Sequence, residues 1–330
     1  MPARPLRIGL VGAGYVAPFH LRGWAGLDSA RVVAIADPDR ARAEACAREF
    51  GIEHVFASPE AMLEGASLDA LDIASPRGLH AAHVDLAIAC GLPVLCQKPL
   101  APTLGEAEAM AARAAGRIRL MVHENWRFRP LYRHVGAALA GLPGLRFCRT
   151  VMRTTALLPD AAGLRPALQR QPFMAGERRL ALAEVLIHHL DATRYLCGDL
   201  VLRQAWLQRS DPALPGETAA HLVLETAAGM PVIVSGDMMA AGTPSGAADW
   251  LELIGDGWRI ESSDGALKRY AGNDLVEERH FDRLADLQAG FDGTIRHFVE
   301  ALVADRPFET DVADNLKTLR LVEEAYGVGW

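Results

Sequence analysis

Cysteine is scarce in this chain. There are five in 330 residues, Cys46, Cys90, Cys96, Cys148 and Cys197, an odd number with no C-x-x-C pair among them. That pattern excludes a disulfide framework and a thiolate zinc cluster, and it fits a reduced, cytoplasmic protein. Clustered positive charge is missing as well: 34 Lys and Arg face 41 Asp and Glu, a formal net charge of −7, and no basic run is long enough to make a face. A nucleic-acid partner is therefore not expected. No apolar run reaches bilayer-spanning length, so no membrane partner is expected. The opening stretch MPARPLRIGLVGAG runs straight into strand-like sequence, without the apolar segment of a secretion signal. Internal repeats, low-complexity tracts and long linkers are absent too. What is present is a globular chain, 50% hydrophobic and long enough for two domains.

From Arg7 the residues read RIGLVGAGYVAPFHLRGW, a short β-rich run, a glycine turn and a helical pattern. Gly12, Gly14 and Ala17 occupy the three small positions of a G-x-G-x-x-A frame. The first permits a tight turn, the second lets a pyrophosphate approach the backbone, and the third lets helix and strand pack closely. Tyr15 and Val16 follow the second glycine and join the cofactor set; Tyr15 either covers the pyrophosphate or is a plain surface aromatic. About 20 residues on, RVVAIADPD ends at Asp37, where an acid binds the adenosine ribose, or else only terminates a strand or caps the next helix. A carboxylate there repels a 2′-phosphate, which favours NAD over NADP.

Strands and helices then alternate. Helix 39–50, strand HVFAS, a helix capped by Ser58 with Pro59 behind it, strand LDALDIAS, a helix closed by Gly91, strand PVLCQKP, a further helix and strand IRLMVHENWRF follow in turn. This rhythm predicts a doubly wound parallel sheet, a Rossmann-type α/β domain over about 1–125. Ligands bind outside the carboxyl ends of such strands. Gly12, Asp37, Ser75, Lys98 and Asn125 all fall at those ends, so the lysine of LCQKPL belongs to the cofactor rim. Pro76 follows Ser75, and His80 opens the next helix, where it supports a backbone turn.

Past Pro130 the pattern changes to strands with turns at Ala228-Gly229 and Asp256-Gly257. The remainder, 126–330, reads as an α+β domain on a large, open, mainly antiparallel sheet, with a C-terminal helix at about 311–326 that packs back on the first domain. Between the strands, LALAEVLIHHLDATRYLCGD has helical spacing. Glu184 and His188, four apart, share one face, and Asp191 is three further on. A carboxylate one turn from an imidazole can tune a general base. Spacing alone favours a pair of ordinary, partly buried histidines, His188 and His189. A metal site is not expected: neighbouring histidines on a helix diverge, and no H-E-x-x-H occurs.

In combination these stretches resemble the Gfo/Idh/MocA oxidoreductases, the family of glucose–fructose oxidoreductase and inositol dehydrogenase. The resemblance covers nearly the whole chain: the glycine motif, Ser75-Pro76 with His80, the lysine-proline strand end, NWRFRP, the Glu184–His188–Asp191 helix and the closing FETDVADNLKTLRLVEEAY. It implies a nicotinamide-dependent sugar or polyol dehydrogenase, a homodimer or homotetramer assembled through the open sheet. Lys98 carries over as the catalytic lysine, His188 rather than His189 as the base, and Glu184 as its acidic partner. With Trp126 and Arg127 these residues form the expected substrate set, although Trp126 equally packs between domains and Arg127 equally forms an interdomain salt bridge. Two departures stand out. Gln97 replaces the family's glutamate beside Lys98, removing a charge that would hold the ammonium protonated. The glycines that usually precede the acid–histidine helix are replaced by GERRLALAE. Gln-Lys-Pro with HENWRF resembles a subgroup that includes D-apiose dehydrogenases. Rival readings are a non-catalytic NAD-binding sensor and an NAD-retaining glycoside hydrolase on the same fold.

Overall fold

The computed structural model describes residues 4–244 and 248–330. Strands β1 (Leu6–Val11), β2 (Ala30–Ala36), β3 (His54–Phe56), β4 (Ala70–Ile73), β5 (Val94–Gln97) and β6 (Leu120–His123) alternate with helices α1 (Ala17–Ala25), α2 (Arg40–Phe50), α3 (Pro59–Gly65), α4 (His80–Cys90) and α5 (Leu104–Ala114). The chain continues through α6 (Pro130–Leu139), β7 (Leu145–Arg153), α7 (Pro166–Arg170), a π-helical turn (Ala181–Leu186) and α8 (Ile187–Cys197). There follow β8 (Leu200–Gln208), β9 (Ala219–Thr226), β10 (Pro231–Asp237), β11 (Ala248–Gly255), β12 (Trp258–Ser263), β13 (Ala266–Ala271), β14 (Asp274–His280), α9 (Arg283–Val303) and α10 (Val312–Val328). No helix of the described residues is long and apolar enough to cross a membrane.

Two compact units emerge: the segment up to Phe128 with Gln288–Leu316, and Arg129–Leu287 with Lys317–Trp330. In the first, strands run in the order β3-β2-β1-β4-β5-β6, every pair parallel. That is the doubly wound order, and it puts all the carboxyl ends on one edge. The local punctuation is as the residues dictate. Ser58 caps α3 by accepting from Ala61 N, Thr103 and Glu106 form a reciprocal capping box on α5, and Gly91 closes α4 at φ 67°. The core combines Ile8, Trp24, Leu95 and Met121 with Ile295, Phe298 and Val299 of α9. One expectation is corrected here: β6 stops at His123, and NWRF is not strand but a 3-10 turn in which Phe128 N donates to Asn125 O at 3.1 Å. Pro130, with no N–H to give a sheet, lies just beyond and starts α6.

In the second unit the strands run β14-β13-β12-β11-β7-β10-β9-β8, antiparallel except for the β7–β10 pair. Both expected hairpins, β9–β10 and β11–β12, are present. Burial alternates along β9 and β10, as it does when one face of a sheet is covered and the other is open. The α8 helix packs on β7 and β10, and a Thr150–Thr193 hydroxyl bond of 3.0 Å ties it to β7.

Candidate active site

Each unit contributes its own group of predicted residues. In the first, Gly12 leaves β1 at φ +102°, and a Cβ there would stand 2.9 Å from the Ala74 carbonyl oxygen. Only glycine tolerates both constraints. At Gly14 a Cβ would meet nothing within 4 Å. The bare backbone faces open space, at the amino end of α1, whose first turn carries no acid. Ala17, fully buried, packs with Leu10, Leu21 and Ile35. Val16 caps α1 through its carbonyl, which accepts from Phe19 N and His20 N. Tyr15 is 45% exposed and sets its ring edge-on to Phe19.

Asp37 stands one residue beyond β2 and accepts from Ala13 N through Oδ2 and Asp39 N through Oδ1, each at 2.7 Å. The carboxylate is thereby fixed against the glycine turn, and each oxygen keeps a further acceptor site for a hydroxyl. Arg40 and Arg42, the nearest cations in sequence, pair with Glu44 and Asp39. A glycine cradle, a bare α-carbon and an oriented acid are what a dinucleotide requires, so these residues fit one.

Along the same edge, Ser75 hydroxyl lies 3.0 Å from His83 Nδ1. His80, fully buried, has Nε2 2.9 Å from Ser75 O and Nδ1 3.1 and 3.2 Å from Pro99 O and Leu100 O. It staples the loop after β4 to the loop after β5, which is the support role expected of it. Burial pushes its pKa down to about 4 against the upward pull of those carbonyls. Lys98 follows β5, partly buried and joined to Pro99 by a cis peptide. Its backbone N–H donates to Gln97 Oε1 at 2.8 Å. Asn125, Trp126 and Arg127 are all buried. Arg127 forms a salt bridge, but to Asp314 of the same unit at 2.8 Å, with Glu309 O also accepting.

In the second unit, the expected single helix is two forms of helix. Glu184 lies in the π turn and His188 at the start of α8, so their four-residue spacing spans a change of pitch rather than one regular turn. The start of the turn is capped from elsewhere in the chain. Fully buried Glu217 accepts from Leu180 N at 3.0 Å, Leu182 N at 2.9 Å and Tyr326 hydroxyl at 2.6 Å, while its own carbonyl accepts from Ala181 N. Burial pushes the Glu217 carboxyl up, and burial with the neighbouring Glu217 charge pushes the Tyr326 phenol up. The close approach uses Gly216, where a Cβ would stand 2.7 Å from Leu180 Cβ.

Beyond the turn, the two histidines part as expected. His189 is fully buried with Nε2 2.9 Å from Asp249 Oδ1, whereas His188 is partly exposed. Burial pushes the Asp249 carboxyl up, but His189 and Arg129 more than offset this and hold it below the usual range. Asp191 accepts from Thr318 hydroxyl at 3.1 Å, tying α8 to α10. Sequence reasoning passed over Glu217 and Tyr326, and also His20 and Asp72, which are joined by a buried Nδ1–Oδ2 hydrogen bond of 2.8 Å. The signal for Asp72 was an acid flanked by apolar residues in the strand ALDI, β4.

A family model described as an oxidoreductase family with an NAD-binding Rossmann fold, Gfo/Idh/MocA, matches residues 6–124. D-apiose dehydrogenase of Paraburkholderia graminis is 32% identical over 336 residues, covering 96% of this chain and 86% of that protein. Inositol 2-dehydrogenase 1 of Saccharopolyspora erythraea is 33% identical over 69% of this chain and 66% of its own length. An oxidoreductase from Agrobacterium radiobacter, crystallised with NAD+, L-tartaric acid and magnesium, superposes with a TM-score of 0.88 at 27% identity, covering 98% of this chain and 95% of that one.

Proposed function

The chain belongs to the Gfo/Idh/MocA family of NAD-binding oxidoreductases, and on that premise we propose that it oxidises a secondary or lactol hydroxyl of a sugar or polyol, using NAD in preference to NADP. The observation that carries the reading is the glycine cradle with Asp37 and Lys98 on the same carboxyl edge of one parallel sheet. The preference for NAD is supported by the Asp37 carboxylate at the end of β2 and by the engagement of Arg40 and Arg42 with acids rather than with open space. Gly12, Gly14, Tyr15, Val16, Asp37, Ser75, Pro76, His80, Gln97, Lys98 and Asn125 hold the dinucleotide, which when bound supplies the two-electron acceptor.

The protein's own contribution is proton handling and charge placement. His188 takes the hydroxyl proton, and Glu184 orients the imidazole and raises its basicity. Lys98 donates a hydrogen bond to the substrate oxygen and stabilises the alkoxide character that develops there. Trp126 and Arg127 complete the substrate set. The relatives' substrates make a branched pentose such as apiose and a cyclic polyol such as inositol the first to try. The protein works in the cytoplasm as a homodimer or homotetramer through the eight-stranded sheet.

A screen of pentoses, hexoses, polyols and sugar acids, read by NADH formation with NADP as control, tests this. One sugar or polyol should give NADH with NAD as the better cofactor. Lys98→Ala and His188→Ala should each lose about 10²–10⁴ in kcat while still binding NAD. Near-normal turnover in either variant defeats the assigned roles. A dinucleotide that copurifies while no substrate yields NADH points instead to transient use of the cofactor.

A further inference from the structure

Gln97 is held by two bonds of opposite polarity inside the first unit. The Lys98 backbone N–H can only donate, so the Gln97 atom that meets it at 2.8 Å is the amide oxygen. This fixes which end of the amide faces the other way: Nε2, 3.0 Å from His20 Nε2. An amide nitrogen can only donate, so His20 Nε2 must present a lone pair. The ring proton is then on Nδ1, which lies 2.8 Å from Asp72 Oδ2, an oxygen that also accepts from Trp24 Nε1 at 2.7 Å. Every role in the chain Lys98–Gln97–His20–Asp72 follows from one backbone donor. His20 and Asp72 are fully buried and Gln97 is 7% exposed, so water offers no substitute partner.

We propose that Gln97 is a positioning residue that locks His20 as the neutral Nδ1–H tautomer and thereby pins the Lys98 backbone. Protonating His20 would set an Nε2–H against the Gln97 amide hydrogens. Turning the amide over to accept that proton would leave the Lys98 N–H facing a second donor. Either route loses a buried hydrogen bond. The groups around the ring divide on the matter. Asp72 on β4 favours an imidazolium. His123 on β6, stacked at 4.2 Å between centroids, disfavours a second charge whenever it carries one itself. Cys96 on β5 is a thiol pushed up by burial and by Asp72, so it stays neutral, and α9 places the Phe291 ring edge-on to the imidazole. Gln97 decides between them because the end of its amide that faces the ring is a donor, its oxygen being engaged by the Lys98 N–H. The benefit to catalysis rests on the role proposed for Lys98; the tautomer lock itself does not.

Nitrogen-15 histidine NMR on the intact protein, without substrate, is the test. The wild type should show one neutral Nδ1–H tautomer at pH 7, and its signals should vanish in His20→Gln. In Gln97→Glu the carboxylate requires an Nε2 proton, so the same ring should become an imidazolium and an added ionisation should enter the pH profile of kcat/KM. His20→Leu should lower kcat by about tenfold to 10²-fold through misplacement of Lys98, and His20→Gln, which keeps an acceptor for the amide, should restore most of it. A wild-type His20 that is protonated at neutral pH, or that carries its proton on Nε2, overturns the lock even if the variants prove unstable. A lock seen by NMR in a protein that never reduces NAD sinks the dehydrogenase reading and leaves this one standing.

Discussion

His80 shows at the scale of one residue how the cofactor edge is built. A neutral ring donates from only one nitrogen, yet both face carbonyl oxygens, of Ser75 on one side and of Pro99 and Leu100 on the other. A protonated ring would satisfy both, but burial prevails and holds the pKa at about 4. The sign of the consequence is definite. Between about 6.5 and 4 the unfolded chain takes a proton on this residue and the folded one does not, so stability is complete above about pH 6.5 and is lost as pH falls through that window. The shift corresponds to roughly 3 kcal/mol at most. Denaturant melts at pH 7 and pH 4.5 should therefore differ less in His80→Asn than in the parent; equal pH dependence in the two proteins rules the mechanism out. At this scale the sequence was legible wherever one residue's job is set by its neighbours in the chain. Gly12 needs a positive φ, Asp37 ends its strand and Lys98 follows a buried one. His20 was not legible, because its partners Asp72 and Gln97 lie 52 and 77 positions away and nothing in APFH announces them.

At the scale of elements, the helix that carries the acid and the histidine depends on a cap that its own sequence does not contain. GERRLALAE offers no Ser, Thr, Asp or Asn at the helix start. Glu217 supplies the acceptor, Gly216 the clearance and Tyr326 a third donor, all from later in the chain. Helical periodicity was enough to place the element, while the choice of His188 over His189 needed the family resemblance; the π turn was not foreseen, and its first backbone donors are held by Glu217 from a distant segment. Tyr326→Phe leaves Glu217 with its backbone donors and should cost about 1 kcal/mol, a fall in Tm of about 2–4 °C. Glu217→Ala strands several buried donors at once and should cost more, on the order of 3 kcal/mol. If the turn positions Glu184 and His188 as proposed, kcat should fall further in Glu217→Ala than in Tyr326→Phe, with NAD affinity unchanged in both. An undiminished kcat in Glu217→Ala would show that the cap serves stability alone.

On the scale of the whole molecule, the dinucleotide-binding unit is assembled from two stretches far apart in sequence. The motifs in the N-terminal stretch announce it; the helical residues 288–303 do not, because an amphipathic helix records that it has a buried face and not what the face meets. Yet α9 completes the core beneath β1 and β5. Phe298 is fully buried, edge-on to Trp24 at 6.3 Å and stacked on Phe308 at 5.3 Å. Removing that ring leaves a cavity rather than a rearranged surface, so Phe298→Ala should cost about 3–5 kcal/mol. In a unit of this size the loss lowers Tm on the order of 10 °C. Val303, on the same helix but 44% exposed, should tolerate alanine to within about 0.5 kcal/mol. Because NAD binds the folded unit only, NAD at about 100 times its Kd should return about 2.7 kcal/mol to the Phe298 variant. Calorimetry of both variants with and without NAD decides the matter. If Phe298→Ala melts like Val303→Ala, then α9 is not part of the core that supports the glycine turn, and the cofactor unit must be stabilised by its N-terminal stretch alone.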